Sequence, residues 1–105
     1  MYKVIRKSEA TVRHIADNKI AFNYVTKELS PAVSLAVTEA IDYYEQETTD
    51  YDRIYYVLEG ELDLSFDGSD VRLAVGDSCF VAKGTEYEMR GSFKAVMVNQ
   101  PAFGS

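Results

Sequence analysis

At 105 residues the chain has room for one hydrophobic core and is read as a single domain spanning 1–105. Hydrophobic residues make up 47% of it and charged residues 27%, a balance that excludes a disordered polymer. The net charge of −6, with Lys and Arg scattered along the chain, works against a phosphate backbone, so nucleic acid is not an expected partner.

The N-terminal "MYKVIRKSEATV" has no apolar run of signal-peptide length, and no window approaches a membrane span. The single cysteine, Cys79, cannot form an internal disulfide. It lies in the apolar run "SCFVA" with no basic neighbour to lower its pKa, which reads as core packing. Together these features predict a cytoplasmic protein that does not engage a membrane.

In chain order, "TVRHI" and "KIAFNYVT" are expected strands separated by a turn at "ADN". The next stretch, "SPAVSLAVTEAIDYYEQE", carries two signals. Ser30 as N-cap, Pro31 in a first turn, and Val33, Val37, Ile41 and Tyr44 at helical spacing favour a helix. Val33, Leu35 and Val37 against Ser34 and Ala36 alternate at period two, and a helix over 31–47 would interrupt a run of strands, so we read a strand. From residue 54 to 98, short apolar runs alternate with punctuation at Glu59-Gly60, Asp67-Gly68, Gly76-Asp77, Lys83-Gly84 and Gly91-Ser92. Taken as turns, these mark out an antiparallel sandwich or barrel.

The last half of the chain resembles the cupin superfamily. "RIYYVLEGELDL" is similar to the second half of the first cupin motif, and "GDSCFVAKGTEYEM" to the second, G-x5-P-x-G-x2-H-x3-N. "VNQPAF" resembles the final strand of small cupins. The resemblance implies an all-β fold, a single-domain antiparallel jelly-roll-type β-barrel. It also locates the positions that hold a metal in metal-dependent members. Counting back from Gly60, Arg53 falls at the glutamate of H-x-H-x3,4-E-x6-G, and Glu47 and Thr49 fall at its two histidines. In the second motif Ala82 replaces the proline, Tyr87 the histidine and Gly91 the asparagine.

A transition-metal site with open positions wants imidazoles and a carboxylate, and the chain has one histidine, His14, far from both motifs. Arg53, always cationic, would stand where an anionic ligand is needed. No metal and no cofactor are therefore expected. Glu47, Thr49, Arg53 and Tyr87 instead suit a small ligand carrying a carboxylate, a phosphate or hydroxyls. The alternative is structural: a buried Arg53 needs an acidic partner, Glu47 or Asp50, with or without a ligand.

Candidates for proton transfer are Glu47, Tyr87 and Glu39, the last if the face it shares with Val33, Leu35 and Val37 points into the barrel. His14 reads as a solvent-facing or turn histidine. Tyr43, Tyr44, Tyr51, Tyr55 and Tyr56 could line a pocket or an interface, and pairing strands across a homodimer would cover exposed sheet edges. Among metal-lacking cupins, "DYDRIYYVLEGELDL" resembles the ethanolamine-utilisation Q-type proteins, whose resemblance implies microcompartment association and a proposed acetate kinase activity. The chain lacks their long N-terminal region, and Arg53 stands where they are expected to have an acidic residue. Two functions compete: a metal-independent binder of a polar or anionic metabolite, with isomerase- or lyase-like acid/base chemistry, and a non-catalytic ligand-sensing or partner-binding module. A metal-dependent oxygenase or isomerase with unconventional ligands ranks below both.

Overall fold

Three strands of 15 residues each, β3 (Ser34–Thr48), β4 (Asp52–Phe66) and β7 (Glu86–Gln100), form the frame of the molecule. A computed structural model describes residues 1–105. The shorter strands are β1 (Thr11–Ala16), β2 (Lys19–Val25), β5 (Ser69–Leu73) and β6 (Ser78–Val81). All pairings are antiparallel, in the order β1-β2-β3-β7-β4-β5, with β6 also on β4. This is the expected all-β cupin fold, and the 31–47 stretch is strand rather than helix. No helix is long and apolar enough to cross a membrane.

Two of the expected turns are not turns. Glu59-Gly60 and Gly91-Ser92 lie inside β4 and β7, which run on through them. The long strands bend here together: β3 slips register between Ala40 and Tyr43, and β4 slips against β7 between Val57 and Glu59. Gly60 has φ +74, and a Cβ on it would stand 2.2 Å from the Ser92 carbonyl oxygen. Gly91 has φ +134, and its Cβ would stand 2.5 Å from the Glu61 carbonyl oxygen. Glycine at both points lets the two paired backbones approach closely while the sheet folds over on itself. Asp67-Gly68 is the tight hairpin expected, with φ +44 and +86 and Phe66 opposite Ser69.

The bend divides the sheet into two facing layers. One holds β1, β2, β6, the first half of β3 and of β4, and the second half of β7. The other holds β5 and the remaining halves. Tyr55, Val57, Ala95 and Met97 of the first pack against Leu62, Leu64, Tyr87 and Met89 of the second in one core. The phase of β3 corrects the expectation for Glu39. Ser34, Ala36, Thr38 and Ala40 are the buried residues, so Leu35, Val37 and Glu39 face outward and Glu39 is not a barrel carboxylate. Small side chains line the inner wall because the barrel interior is occupied by long ones reaching across from other strands.

Candidate functional site

The loop after β3 and the loop before β7 are tied together at one end of the barrel. The Thr49 amide donates to the Thr85 carbonyl at 3.1 Å, and the Gly84 amide to the Thr49 carbonyl at 2.8 Å. This brings the two motif regions side by side. Glu47 lies directly opposite Tyr87 across β3 and β7, and Arg53 opposite Asn99 across β4 and β7.

Arg53 is 2% exposed and is the centre of the cluster. Its Nη1 donates to Glu47 Oε1 at 2.8 Å and to the Tyr87 hydroxyl at 2.9 Å, and its Nε donates to Asn99 Oδ1 at 2.7 Å. The Tyr87 and Tyr55 hydroxyls share a further bond of 2.6 Å. Nη2 takes no part in these bonds, and since no sealed side-chain polar atom lacks a partner, it keeps an opening to solvent. The cluster therefore holds one directed, uncommitted donor on a permanently charged group.

Burial pushes the Tyr55 hydroxyl well above the usual phenol range, with Tyr87 beside it adding to the effect. Burial also raises Tyr87, partly offset by the Arg53 charge. Both stay protonated at neutral pH, so Tyr87 can donate a hydrogen bond but resists giving up its proton.

A second ion pair lies along the same strand. Lys19, 7% exposed, places Nζ 3.4 Å from Glu45 Oε1, 3.6 Å from Met89 Sδ and 4.6 Å over the Tyr43 ring. Burial lowers its pKa, against the opposing pull of Glu45. Glu45 is held in turn by the Tyr43 hydroxyl at 2.6 Å.

The remaining expected residues lie elsewhere. Thr49 is fully buried, and its hydroxyl both donates to the Tyr51 carbonyl at 3.0 Å and accepts from the Tyr51 amide at 3.1 Å. Those bonds shape the turn into β4 and leave it no free group for a ligand. His14 and Glu39 line an open groove of about 540 Å³ away from the Arg53 cluster, whose wall also includes the buried Lys19, Ala40 and Phe93. Cys79 is half-buried and burial raises its thiol pKa, as an inert packing residue requires.

A family model described as ethanolamine utilisation protein EutQ matches residues 4–103. The chain belongs to the EutQ family. A protein described as ethanolamine utilization protein Q of Salmonella typhimurium LT2 is 27% identical, with TM-score 0.75 over 80% of this chain and 70% of that one. The EutQ protein of Clostridium difficile is 24% identical, with TM-score 0.73 over 96% of this chain and 82% of that one. KdgF from Halomonas sp. shares the fold at 13% identity, with TM-score 0.84 over 99% and 97% of the two chains. No curated protein sequence matches the chain.

In this EutQ-family chain the metal-ligand positions of other cupins do not fit a cation. No three His, Cys, Asp or Glu side chains come together in a way that could hold a metal ion. Arg53 fills the position instead, with its own carboxylate partner. The structure brings the sequence candidates Glu47, Arg53 and Tyr87 together, with Tyr55 from the tyrosine group that the sequence marked as pocket or interface residues, and adds Asn99 and Lys19, which sequence reasoning missed. The signal for Asn99 was present: it continues the alternation Phe93, Ala95, Met97 on the inward face of β7. Lys19, at the start of an expected strand, gave no sign that it would be buried.

Proposed function

We propose that this cupin binds a small anionic or polar metabolite in its barrel without a metal, with Arg53 as the anchor. The observation that carries the reading is the buried guanidinium whose Nε and Nη1 are fixed by Asn99, Glu47 and Tyr87 while Nη2 stays uncommitted. Such a donor is pre-organised for a carboxylate or phosphate oxygen and pays little ordering entropy on binding. Tyr87 supplies a second donor. Ethanolamine utilisation, the process in the family's description, is the setting this proposal assigns to the chain, in the cytoplasm.

Acid/base catalysis by Glu47 and Tyr87 is the extension of this reading. The non-catalytic alternative has a specific observation in its favour: Glu47 is engaged by Arg53 at 2.8 Å, and Tyr87 is held protonated. Neither is poised as a base. Calorimetric titration of metal-stripped protein with acetate, butyrate and inorganic phosphate tests the binding claim. Binding in the presence of chelator, weakened at least tenfold in Arg53→Lys, supports it. No binding of any anion, or equal binding by Arg53→Lys, contradicts it.

The partner we propose is a second copy of the chain. Across the outer face of the first layer, Val12, Phe22, Val37, Val96 and Tyr56 form one continuous row, and Leu35, Val98, Ile54 and Phe80 a second. Ile54, Tyr56 and Phe80 are 44%, 44% and 63% exposed, a concentration of large apolar side chains that a solitary chain does not leave in water. Charged residues lie at the margins of this face, the row Glu39, Lys94, Glu59 on one side and Asp52, opposite Gln100, on the other. A two-fold axis through the apolar rows would bury like against like without burying a charge.

A further inference from the structure

The inner wall of the first layer is built from small residues at its β2–β3 end, and the space they leave opens as a cavity of about 180 Å³ at the mouth of the barrel. Arg13, Asn23, Ala36, Met97, Asn99 and Phe103 are on its wall. The volume matches about six water molecules, enough for a ligand of a few heavy atoms. Its innermost polar residue, Asn99, is 1% exposed and accepts from Arg53 Nε, so the cavity ends one hydrogen bond from the buried guanidinium.

Charge at this mouth differs from the rest of an acidic chain. Arg13 has no carboxylate within salt-bridge distance and instead lies 4.8 Å over the Phe103 ring. Lys27, also on the wall, donates only to the Gly104 carbonyl at 3.1 Å. Glu28 is the one carboxylate there. Phe103 in turn sits 5.5 Å from Tyr51, and Tyr51 lies 5.8 Å from the Arg53 guanidinium. A ladder of cation, ring, ring and cation thus connects the outer arginine to the inner one along one side of the cavity. The tail that carries Phe103 is pinned by its own amides, to Ser34 Oγ at 2.9 Å and, through Gly104, to the Tyr51 hydroxyl at 2.7 Å.

We propose that this mouth cavity is a second anion subsite, so that the protein selects short dianions with one anionic group toward Arg53 and Asn99 and the other on Arg13. The inference rests on the reading of Arg53 as an anion anchor and adds the substrate class. Arg13 is the specificity residue: its exposed guanidinium is free of a carboxylate, and the fixed Phe103 ring holds it over the opening. A monoanion of equal length would use the inner donor alone.

Calorimetric titration of the whole chain with butyrate and with succinate, for the wild type and for Arg13→Gln, tests this. Succinate should bind the wild type about tenfold more tightly than butyrate, the gain of one charge-assisted contact. Arg13→Gln should remove that preference and leave butyrate affinity unchanged, with an unaltered unfolding curve because Arg13 is exposed. Equal affinities for the two acids in the wild type, or a preference that survives Arg13→Gln, overturns the subsite while leaving butyrate binding at Arg53 intact. If neither acid binds the wild type, the subsite fails; if acetate and inorganic phosphate also fail to bind, the Arg53 reading fails with it.

Discussion

Replacing Arg53 with methionine separates the structural weight of the cluster from its function. The substitution keeps an unbranched apolar side chain in the barrel but strands three groups. Asn99 Oδ1, in a residue only 1% exposed, loses its donor, a loss of about 1–3 kcal/mol. Glu47 loses its counter-charge; a fully buried broken pair costs about 3–5 kcal/mol, but the Glu47 side chain is 24% exposed and can turn to water, so we take about 1 kcal/mol. Tyr87 keeps its bond to Tyr55 and adds little. The expected loss is about 2–4 kcal/mol, or roughly 9–18 °C in melting temperature for a domain of this size. Urea unfolding followed by tyrosine fluorescence, which is available because the chain has eight tyrosines and no tryptophan, measures it. Adding Glu47→Gln to Arg53→Met should restore about 1 kcal/mol by removing the stranded charge. A loss below about 1 kcal/mol for the single variant, or a double variant as unstable as two independent losses, would refute the account of the cluster.

Gly60→Ala should be more damaging than any surface change, by about 3 kcal/mol or more, because it combines a left-handed φ with a Cβ 2.2 Å from the Ser92 carbonyl; an unchanged unfolding midpoint would mean that β4 and β7 do not approach so closely there. Lys19→Met should leave stability within about 1 kcal/mol or raise it, since burial already works against the ammonium; a loss above 2 kcal/mol would show that the Lys19–Glu45 pair is a net stabiliser. The tyrosines Tyr43, Tyr55 and Tyr87 have their pKa values raised by burial above the unfolded value near 10. Their contribution is therefore complete below about pH 10 and is lost as pH rises above it, because the unfolded chain releases those protons first. Absorbance titration should show these hydroxyls ionising only as the protein unfolds; reversible ionisation of all the tyrosines in the folded state near pH 10 would contradict their burial. Tyr56→Lys should convert a dimer into a monomer in light scattering, and a wild-type chain already monomeric at micromolar concentration would remove the case for the outer face.

Much of the fold was legible because the hairpin and strand signals are local. Asp67-Gly68 could only be a tight turn, and the period-two pattern of 33–37 outweighed the N-cap and proline of a helix. Gly60 and Gly91 misled for a physical reason: glycine marks any point where a backbone needs positive φ or close approach, and a bend in a long strand needs both, just as a turn does. The phase of β3 was harder. Leu35 and Val37 are the more apolar set, yet they face outward, because the sheet's outer face is itself apolar and the barrel interior keeps small residues opposite Arg53, Lys19 and the tyrosines. Hydrophobicity therefore pointed Glu39 the wrong way. In the site, motif spacing identified Glu47, Arg53 and Tyr87, since their positions relative to Gly60 and Gly76 are fixed by the strands that carry them. Asn99 joins by register across β4 and β7, remote in sequence, which spacing within a motif does not encode, whereas Tyr55 shares the inward face of β4 with Arg53 two residues away.

The most direct test of the central claim is calorimetric titration of chelator-treated protein with butyrate, repeated after addition of divalent manganese, iron, nickel or zinc. A metal-free anion site on Arg53 predicts the same affinity with and without metal. Binding that appears only after a metal is added would contradict it.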